Sequence, residues 1–247
     1  MRAENAADDR AELLERAMKE PWYHTLELAP GKWTHGWFDL RESIRHYHIP
    51  EDMTGMRVLD IGTWDGFWAF EFERRGAAEV VALDLDDERD LDWPRRLRPE
   101  SYPERGRGDG FRLAKAIKGS DVERIECSIY NASADDLGQF DFVFCGSVLT
   151  HLRDQLLALE HINDLCRDTG TFVNAEVTGR IIELVPIAAG RFRAHYNKMV
   201  FWQPNTRAWK RMIYAAGFDH TEVKGRFKAK GRDQRVPHVV FHSRKRA

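Results

Sequence analysis

Residues 58–86, VLDIGTWDGFWAFEFERRGAAEVVALDLD, contain the residue types that point most directly to chemistry. A hydrophobic stretch ends in Asp60, turns through Gly62 and Gly66, and continues with helical spacing. Glycine lets a backbone approach a ligand and adopt positive φ, and the helix N-terminus that follows presents unpaired N–H groups. Asp84 ends the next hydrophobic stretch, where a carboxylate can accept hydrogen bonds from both hydroxyls of a ribose. This order of strand, glycine turn, helix, strand and acid predicts a nucleotide-binding site.

A nicotinamide dinucleotide is the alternative ligand for such a turn. Its fingerprint, G-x-G-x-x-G, needs a middle glycine so that the pyrophosphate can approach the backbone. Trp64 stands at that position. The bulky indole obstructs the approach and therefore disfavours a dinucleotide.

The same residues resemble the class I S-adenosylmethionine-dependent methyltransferases. DIGTWDG is similar to their D-x-G-x-G-x-G loop and departs from it at Trp64. Within that superfamily the chain is similar to the tRNA wobble-uridine (carboxy)methyltransferase-like group over about residues 21–223, through PWYH, WTHGWFD, GSVLTHLRD and MVFWQPNTRAWKRMIYAAGF. The resemblance implies S-adenosylmethionine as the cofactor and a Rossmann-like methyltransferase sheet.

The resemblance also implies which residues bind the cofactor. They are the residues that carry its motifs, namely Asp60, Gly62, Thr63, Trp64, Asp65, Gly66, Asp84, Asn131, Gly146 and Ser147. Among them, Asp84 would hold the ribose and Asn131 would contact the adenine. Gly146 and Ser147 would hold the methionine amine. The carboxymethyl-transferring members need cationic side chains for the extra carboxylate of their modified cofactor, and here His24 and Phe38 align with those lysines. Ordinary S-adenosylmethionine is therefore expected.

Two residues are candidates for catalysis. His151 follows the fourth predicted strand, at the carboxyl edge of the sheet where ligands bind in such folds. An imidazole with an unperturbed pKa of about 6.5 suits a general base at neutral pH; packing against the next helix is the alternative role. Glu176 ends the fifth predicted strand and could act as a second base, as a hydroxyl acceptor or as a helix partner.

An aromatic segment, residues 21–40, precedes the glycine turn. In this superfamily such segments fold over the cofactor, so we expect a lid; packing on the core without substrate contact is the alternative. Aromatic faces stack on nucleobases and on sugar rings alike, so they do not choose between substrates. The candidate substrate-binding residues are Tyr23, His24, Trp33, Trp37, Arg153, Tyr196 and Asn197.

Short buried strands alternate with helices from Met56 onward. We predict strands at residues 56–62, 78–85, 122–130, 140–148 and 170–177, helices at 8–19, 39–48, 66–76, 153–168 and 205–217, and a closing hairpin from 218–223 and 236–243. This alternation indicates an α/β fold with a mostly parallel sheet and an antiparallel C-terminal hairpin. Residues 1–50 are expected to form a helical, aromatic lid segment and residues 51–247 the catalytic domain.

Composition narrows the class of protein. The chain has 247 residues, 38 Lys+Arg, 40 Asp+Glu and 43% hydrophobic residues, which fits a globular domain. Residues 224–247 carry nine Lys/Arg and one acid, so residues 1–223 have a net negative charge. A domain with a large nucleic-acid-binding surface is usually strongly basic instead. No apolar run reaches the roughly 20 residues of a membrane span, and the polar start predicts no secretory signal. Three cysteines without CxxC spacing predict reduced thiols in a cytoplasmic protein, and no metal is expected.

These observations predict an S-adenosylmethionine-dependent O-methyltransferase that acts on a hydroxyl of a small molecule, preferably a sugar or a natural product. The net negative charge of residues 1–223 and the base candidate His151 favour a small-molecule hydroxyl as the acceptor. Methylation of a tRNA wobble uridine is the second choice, supported by the resemblance and the basic C-terminal residues. A cofactor-binding protein without catalysis is a third alternative, and a homodimer is left open.

Overall fold

A nine-stranded sheet forms the centre of the described structure, a computed structural model covering residues 2–194 and 200–246, with side chains from Asp9 onward. The strands are β1 (Trp22–His24), β2 (Glu27–Ala29), β3 (Lys32–Trp33), β4 (Gly36–Asp39), β5 (Arg57–Ile61), β6 (Glu79–Asp84), β7 (Glu123–Glu126), β8 (Phe140–Gly146), β9 (Cys166–Val177), β10 (Gly190–Phe192), β11 (Trp202–Pro204), β12 (His220–Gly231) and β13 (Arg235–Arg244). The helices are α1 (Arg2–Ala17), α2 (Phe67–Arg74), α3 (Asp109–Lys118), α4 (Ala134–Leu137), α5 (Gln155–Leu165), α6 (Arg180–Glu183) and α7 (Thr206–Ala215).

The sheet order is β1-β4-β12-β13-β9-β8-β5-β6-β7. Strands β9, β8, β5, β6 and β7 are parallel, whereas β13 pairs antiparallel with β9 and β12 antiparallel with β13. Val58, Leu59 and Val143 on the central strands are fully buried, as expected for parallel strands covered on both faces. The expected α/β class, with a mostly parallel sheet and an antiparallel C-terminal hairpin, is confirmed.

The aromatic segment extends this sheet. β4 pairs antiparallel with β12, and β1 pairs parallel with β4, so both strands lie beyond the C-terminal hairpin. The expected helix over residues 39–48 is not formed: strand β4 extends to Asp39, and only a short 3-10 turn at Ile44–Tyr47 follows, which His48 ends in a left-handed conformation with φ of 52°. The sheet curls, since the backbone of β1 also contacts the turn that follows β5.

Helices cover both faces of the sheet and bury two apolar clusters. One cluster places Trp68 and Phe72 of α2 against Phe144 of β8. The other places Leu159 of α5 and Trp209 of α7 against the opposite face. This layering leaves the carboxyl ends of the parallel strands uncovered by the main helices, where α/β sheets bind ligands.

In the part of the chain that the structure describes, no helix is both long and apolar enough to cross a membrane. Cys127, Cys145 and Cys166 are free thiols, and two of them are buried.

Candidate active site

A cavity of about 580 Å³ lies at the carboxyl ends of the central strands. Its wall includes residues 60–62 at the end of β5, residues 83–85 at the end of β6 and residues 146–148 at the end of β8. Three neighbouring strands of the sheet, β8, β5 and β6, therefore contribute to one site. This is where the sequence predicted the cofactor.

The glycine turn after β5 depends on two glycines. Gly62 has φ of +75°, and a Cβ there would lie 2.3 Å from Cγ2 of Val148. Gly66 has φ of +90°, and a Cβ there would lie 2.4 Å from the ring of Phe70. Both positions combine a backbone conformation that L residues avoid with a lack of space, so glycine is required at each.

Trp64 adopts positive φ (50°) at the centre of this turn and forms part of the cavity wall. Its ring stacks on Tyr23, with 4.1 Å between centroids and 15° between planes, and the Arg107 guanidinium lies 3.7 Å from its centroid. Tyr23 and Arg107 line the cavity as well. The sequence did not identify Arg107, which lies in the exposed-looking run RGRGDG.

Asp84 is buried in the cavity wall at the end of β6. Its Oδ2 accepts a hydrogen bond of 2.7 Å from Trp64 N, its Oδ1 accepts one of 2.8 Å from Leu85 N, and Arg107 Nη2 lies 3.7 Å from Oδ1. An ionised carboxylate offers roughly four lone-pair sites. Two backbone donors leave capacity for the two hydroxyls of a ribose, so this acceptor fits the expected cofactor.

Asp60 provides a second test of that fit. It is 1% exposed, burial raises its pKa to about 7, and Oδ2 has no hydrogen-bond partner among the described residues. Asp60 also lines the cavity. A buried carboxyl oxygen without a partner is costly, and an ammonium group such as that of the methionine moiety would satisfy it.

Asp65 fastens β1 to the glycine turn. Its Oδ2 accepts hydrogen bonds from Tyr23 N and His24 N at 3.0 and 2.7 Å, and its Oδ1 lies 2.5 Å from His24 Nδ1. These contacts place Tyr23 and His24 in the cavity wall. Asp65 itself is outside the wall, as are Thr63 and Gly66, so the structure gives these three residues a supporting position.

Asn131 does not lie where the adenine contact was expected. Its side chain is exposed and outside the cavity wall, whereas Cys127, Ser128 and Ile129 line the cavity. The reason is the length of the third parallel strand. β7 ends at Glu126 rather than at residue 130, so the residues that emerge into the cavity come earlier in the chain.

Ser147 and His238 form a hydrogen-bonded pair in the cavity wall. Ser147 Oγ lies 2.8 Å from His238 Nε2, and His238 Nδ1 lies 2.8 Å from the carbonyl oxygen of Val236. A carbonyl only accepts, so Nδ1 carries the proton and Nε2 accepts from the Ser147 hydroxyl. Burial lowers the pKa of His238 to about 4, which keeps the ring neutral at physiological pH.

His151 lines the cavity, as expected for a residue that acts on the acceptor, and Glu176 does not. Glu176 is fully buried, and its two carboxylate oxygens accept hydrogen bonds of 3.3 Å from Leu149 N and Thr150 N. Burial raises the pKa of Glu176 to about 8. Its carboxyl group therefore holds the 3-10 turn Leu149–His151, and direct contact with an acceptor is not supported by this position.

Three other substrate-binding candidates lie outside the cavity wall. Arg153 donates to the carbonyl of Trp93 at 3.1 Å, Trp33 lies beneath the guanidinium of Arg41, and Trp37 is 40% exposed. Each is directed to the surface or to a neighbouring loop. Tyr196 and Asn197 lie outside the described residues.

The far end of the cavity contains polar residues that the sequence did not single out: Arg193, Gln203, Gln234 and His238. They come from the segment between β9 and α7 and from the C-terminal hairpin, far apart in the chain. Among the residues with described side chains, no group of three His, Cys, Asp or Glu could hold a metal ion.

Comparison with known proteins identifies the family and the fold. The family model of a methyltransferase domain matches residues 34–223, more than half of the chain. The N-terminal domain of EvdMO1, solved in the presence of SAH and D-fucose, superposes with a TM-score of 0.67 at 17% identity over 96% of this chain and 97% of that one. Among curated proteins, none matches by sequence.

Two further solved structures share the fold. An S-adenosylmethionine-dependent methyltransferase from Mesorhizobium loti has a TM-score of 0.55 at 16% identity, over 83% of this chain and 97% of that one. The 1,6-didemethyltoxoflavin-N1-methyltransferase of Burkholderia thailandensis, with bound 1,6-didemethyltoxoflavin and S-adenosylhomocysteine, has a TM-score of 0.54 at 15% identity, over 78% of this chain and 72% of that one. The finer resemblance to the tRNA wobble-uridine group is not confirmed. The chain belongs to the methyltransferase domain family and has the fold of S-adenosylmethionine-dependent methyltransferases.

Proposed function

We propose that this protein is an S-adenosylmethionine-dependent O-methyltransferase that acts on a hydroxyl of a small molecule, preferably a saccharide or a natural product. One observation carries the proposal. The cavity joins a cofactor end, at Gly62 and Asp84, to a second end lined by the polar side chains of Ser147, His151 and Gln203. A methyl donor and a polar acceptor can therefore meet in one enclosed space.

S-adenosylmethionine is the cofactor. Asp84 holds the ribose, Asp60 accepts a hydrogen bond from the methionine ammonium, and residues 127–129 contact the adenine. The Tyr23–Trp64 stack covers the cofactor end and limits the access of water. In this proposal residues 1–50 act as a lid, because Tyr23 and His24 lie in the cavity wall, and residues 51–247 form the catalytic domain.

The bound cofactor supplies an activated sulfonium methyl group. Transfer of that methyl group to the acceptor oxygen would leave S-adenosylhomocysteine as the second product. His151 takes the hydroxyl proton on a ring nitrogen, which is general-base catalysis. Glu176 keeps the turn that carries His151 in position.

A preference for a sugar is supported by a structurally similar protein, the N-terminal domain of EvdMO1, which was solved in the presence of SAH and D-fucose. The Burkholderia thailandensis neighbour, an N1-methyltransferase, has the same fold with another acceptor atom, so the fold alone does not select oxygen. The base candidate His151 in the cavity wall favours a hydroxyl, because a hydroxyl must lose a proton on methylation.

The test uses the purified protein, methyl-labelled S-adenosylmethionine and a soluble extract of its host, with and without ribonuclease. We expect label in a small-molecule fraction that survives ribonuclease and that is released as an O-methyl compound. Label lost with ribonuclease would support wobble-uridine methylation instead. Tight cofactor binding without any transfer would support a protein that binds the cofactor and does not catalyse.

A further inference from the structure

The hydroxyl of Ser147 has a fixed direction. Its proton points to Nε2 of His238 at 2.8 Å, because the carbonyl of Val236 holds the proton of this histidine on Nδ1; the other acceptor within reach, the carbonyl of Ala175, is more distant at 3.4 Å and also lies within the protein. The ring is buried, and burial lowers its pKa, so the ring stays neutral and the pair does not change its polarity near pH 7. Consequently Ser147 Oγ offers lone pairs to the cavity and no proton. It can bind only a group that donates a hydrogen bond.

The backbone of Ser147 is strained to reach this position. Its φ is 59°, in the left-handed region that a residue with a Cβ rarely adopts. Ser147 N donates to the carbonyl of Ala175 on β9 at 2.7 Å, which holds the strained conformation. Such strain persists where the surrounding structure imposes it, and it concentrates at functional sites. Here it brings the hydroxyl into the cavity wall beside His238.

The neighbouring groups at this end of the cavity suit a polar ligand that can both donate and accept hydrogen bonds. Gln203 and Gln234 line it, and each amide both donates and accepts hydrogen bonds. Arg193 donates to Gln203 Oε1 at 3.4 Å. Sugar hydroxyls likewise donate and accept, so a polyhydroxylated ring can satisfy these groups together. An apolar acceptor would make no hydrogen bonds with these amides.

We propose that Ser147, held by His238, accepts a hydrogen bond from a second hydroxyl of the acceptor, adjacent to the one that is methylated. Ser147 and His151 lie four residues apart on the segment after β8, and both line the cavity, so one small acceptor can contact both side chains. We place the two contacted hydroxyls on neighbouring carbons. The acceptor is therefore a vicinal diol, such as a saccharide with free adjacent hydroxyls. This inference rests on the O-methyltransferase function proposed above.

The first experiment uses periodate, which cleaves the carbon–carbon bond between two adjacent free hydroxyls. The ribonuclease-treated, small-molecule fraction of the host extract is oxidised with periodate, the excess reagent is destroyed with ethylene glycol, and protein and labelled cofactor are added. We expect labelling to disappear, and to survive in a mock-treated fraction. Label that survives periodate overturns the diol and leaves the O-methyltransferase standing. No label in either fraction overturns both.

The second experiment separates the acceptor from the cofactor as the ligand of Ser147. Initial rates are measured with a limiting amount of the same fraction, and the Kd of S-adenosylhomocysteine is measured by calorimetry. We expect Ser147→Ala and Ser147→Gly each to lower the rate about tenfold, the effect of one lost hydrogen bond, with an unchanged Kd. Glycine relieves the strained φ, so a loss shared by both variants reports the hydroxyl.

His238 is tested as a positioning residue. His238→Leu removes the acceptor of the Ser147 proton and should lower the rate of methyl transfer about as much as Ser147→Ala does. His238→Gln offers a carbonyl oxygen as the acceptor instead, so its rate should lie between those of His238→Leu and the unchanged protein. Ser101→Ala and His220→Gln, at exposed positions, are the controls. A weakened Kd for S-adenosylhomocysteine in Ser147→Ala would mean that the hydroxyl binds the methionine ammonium, and it would overturn the assignment.

Discussion

Asp65 Oδ1 lies 2.5 Å from Nδ1 of His24, a residue 41 positions earlier in the chain, and both side chains are buried. The other oxygen of Asp65 accepts hydrogen bonds from the backbone of Tyr23 and His24. One carboxylate therefore joins the strand at the far edge of the sheet to the glycine turn at its centre. The aromatic wall of the cofactor end depends on this junction.

Replacing Asp65 with alanine should both destabilise the protein and weaken the cofactor site. Two buried backbone donors and an imidazole lose their partner, and each unsatisfied buried donor costs about 1–3 kcal/mol. Urea unfolding should show a lower free energy of unfolding, and calorimetry a weaker affinity for S-adenosylhomocysteine. Asp168→Ala, at a side chain that is 85% exposed, is the control and should change neither quantity. An Asp65→Ala protein with unchanged cofactor affinity would show that the junction does not shape the site.

Replacing Asp84 with alanine should lower the affinity for S-adenosylhomocysteine. The ribose loses hydrogen bonds to a charged acceptor, which are worth about 1.5–3 kcal/mol, or on the order of 10- to 150-fold in Kd. Asp84→Asn keeps one oxygen and should lose less. Calorimetry at constant ionic strength measures all three proteins. Equal affinity in Asp84→Ala and the unchanged protein would refute the ribose assignment.

Replacing His151 with alanine should slow methyl transfer about 100- to 10,000-fold, the range that general-base catalysis contributes. Cofactor affinity should stay the same, since His151 is proposed to act on the acceptor. The measurement pairs transfer of label to the host extract with calorimetry on S-adenosylhomocysteine. His220→Ala, at an exposed histidine, should keep the full rate. Near-normal transfer by His151→Ala would exclude it as the base.

The buried carboxyl of Glu176 should make folding stability depend on pH. Its pKa is about 8 in the folded protein and near the ordinary value of 4.5 when unfolded, so the folded state holds a proton that the unfolded state releases. The stability contributed by Glu176 is complete below about pH 4.5 and is lost as the pH rises towards 8. The side chain of Glu176→Gln cannot ionise, so the free energy of unfolding of this variant should fall less steeply as the pH rises.

Urea unfolding of both proteins at several pH values between 5 and 8 measures this effect. Subtracting the pH profile of one protein from that of the other removes the contribution of other buried groups, such as His238. Glu176→Gln keeps a carbonyl oxygen for one of the two backbone donors, so it should lower the stability at pH 5 by about 1 kcal/mol. Glu222→Gln, at an exposed position, is the control. Parallel curves for Glu176→Gln and the unchanged protein would contradict the raised pKa.

Local sequence was sufficient to predict the five parallel strands β5–β9, the helices α2, α5 and α7, and the glycine turn of the site, but it did not predict the strands β1–β4. The alternation of buried strands and helices, the two glycines and the acid at Asp84 all act within about 30 residues, and the structure places Gly62 and Asp84 in the cavity wall. The glycines are required by backbone conformation and by close packing of Val148 and Phe70. The residues that meet these requirements all lie within a single short segment of the chain.

Tertiary structure alone decided which side chains meet at the proposed acceptor end of the cavity. Ser147 and His238 are 91 residues apart and come together because β13 pairs with β9, beside β8. Glu176 ends its strand as predicted, yet it faces the backbone of the next turn rather than the cavity. No local pattern encodes these contacts, because strand order and register set them through packing of the whole sheet. The sequence by itself thus determined the fold and the cofactor, whereas the folded chain determined which distant side chains line the rest of the cavity.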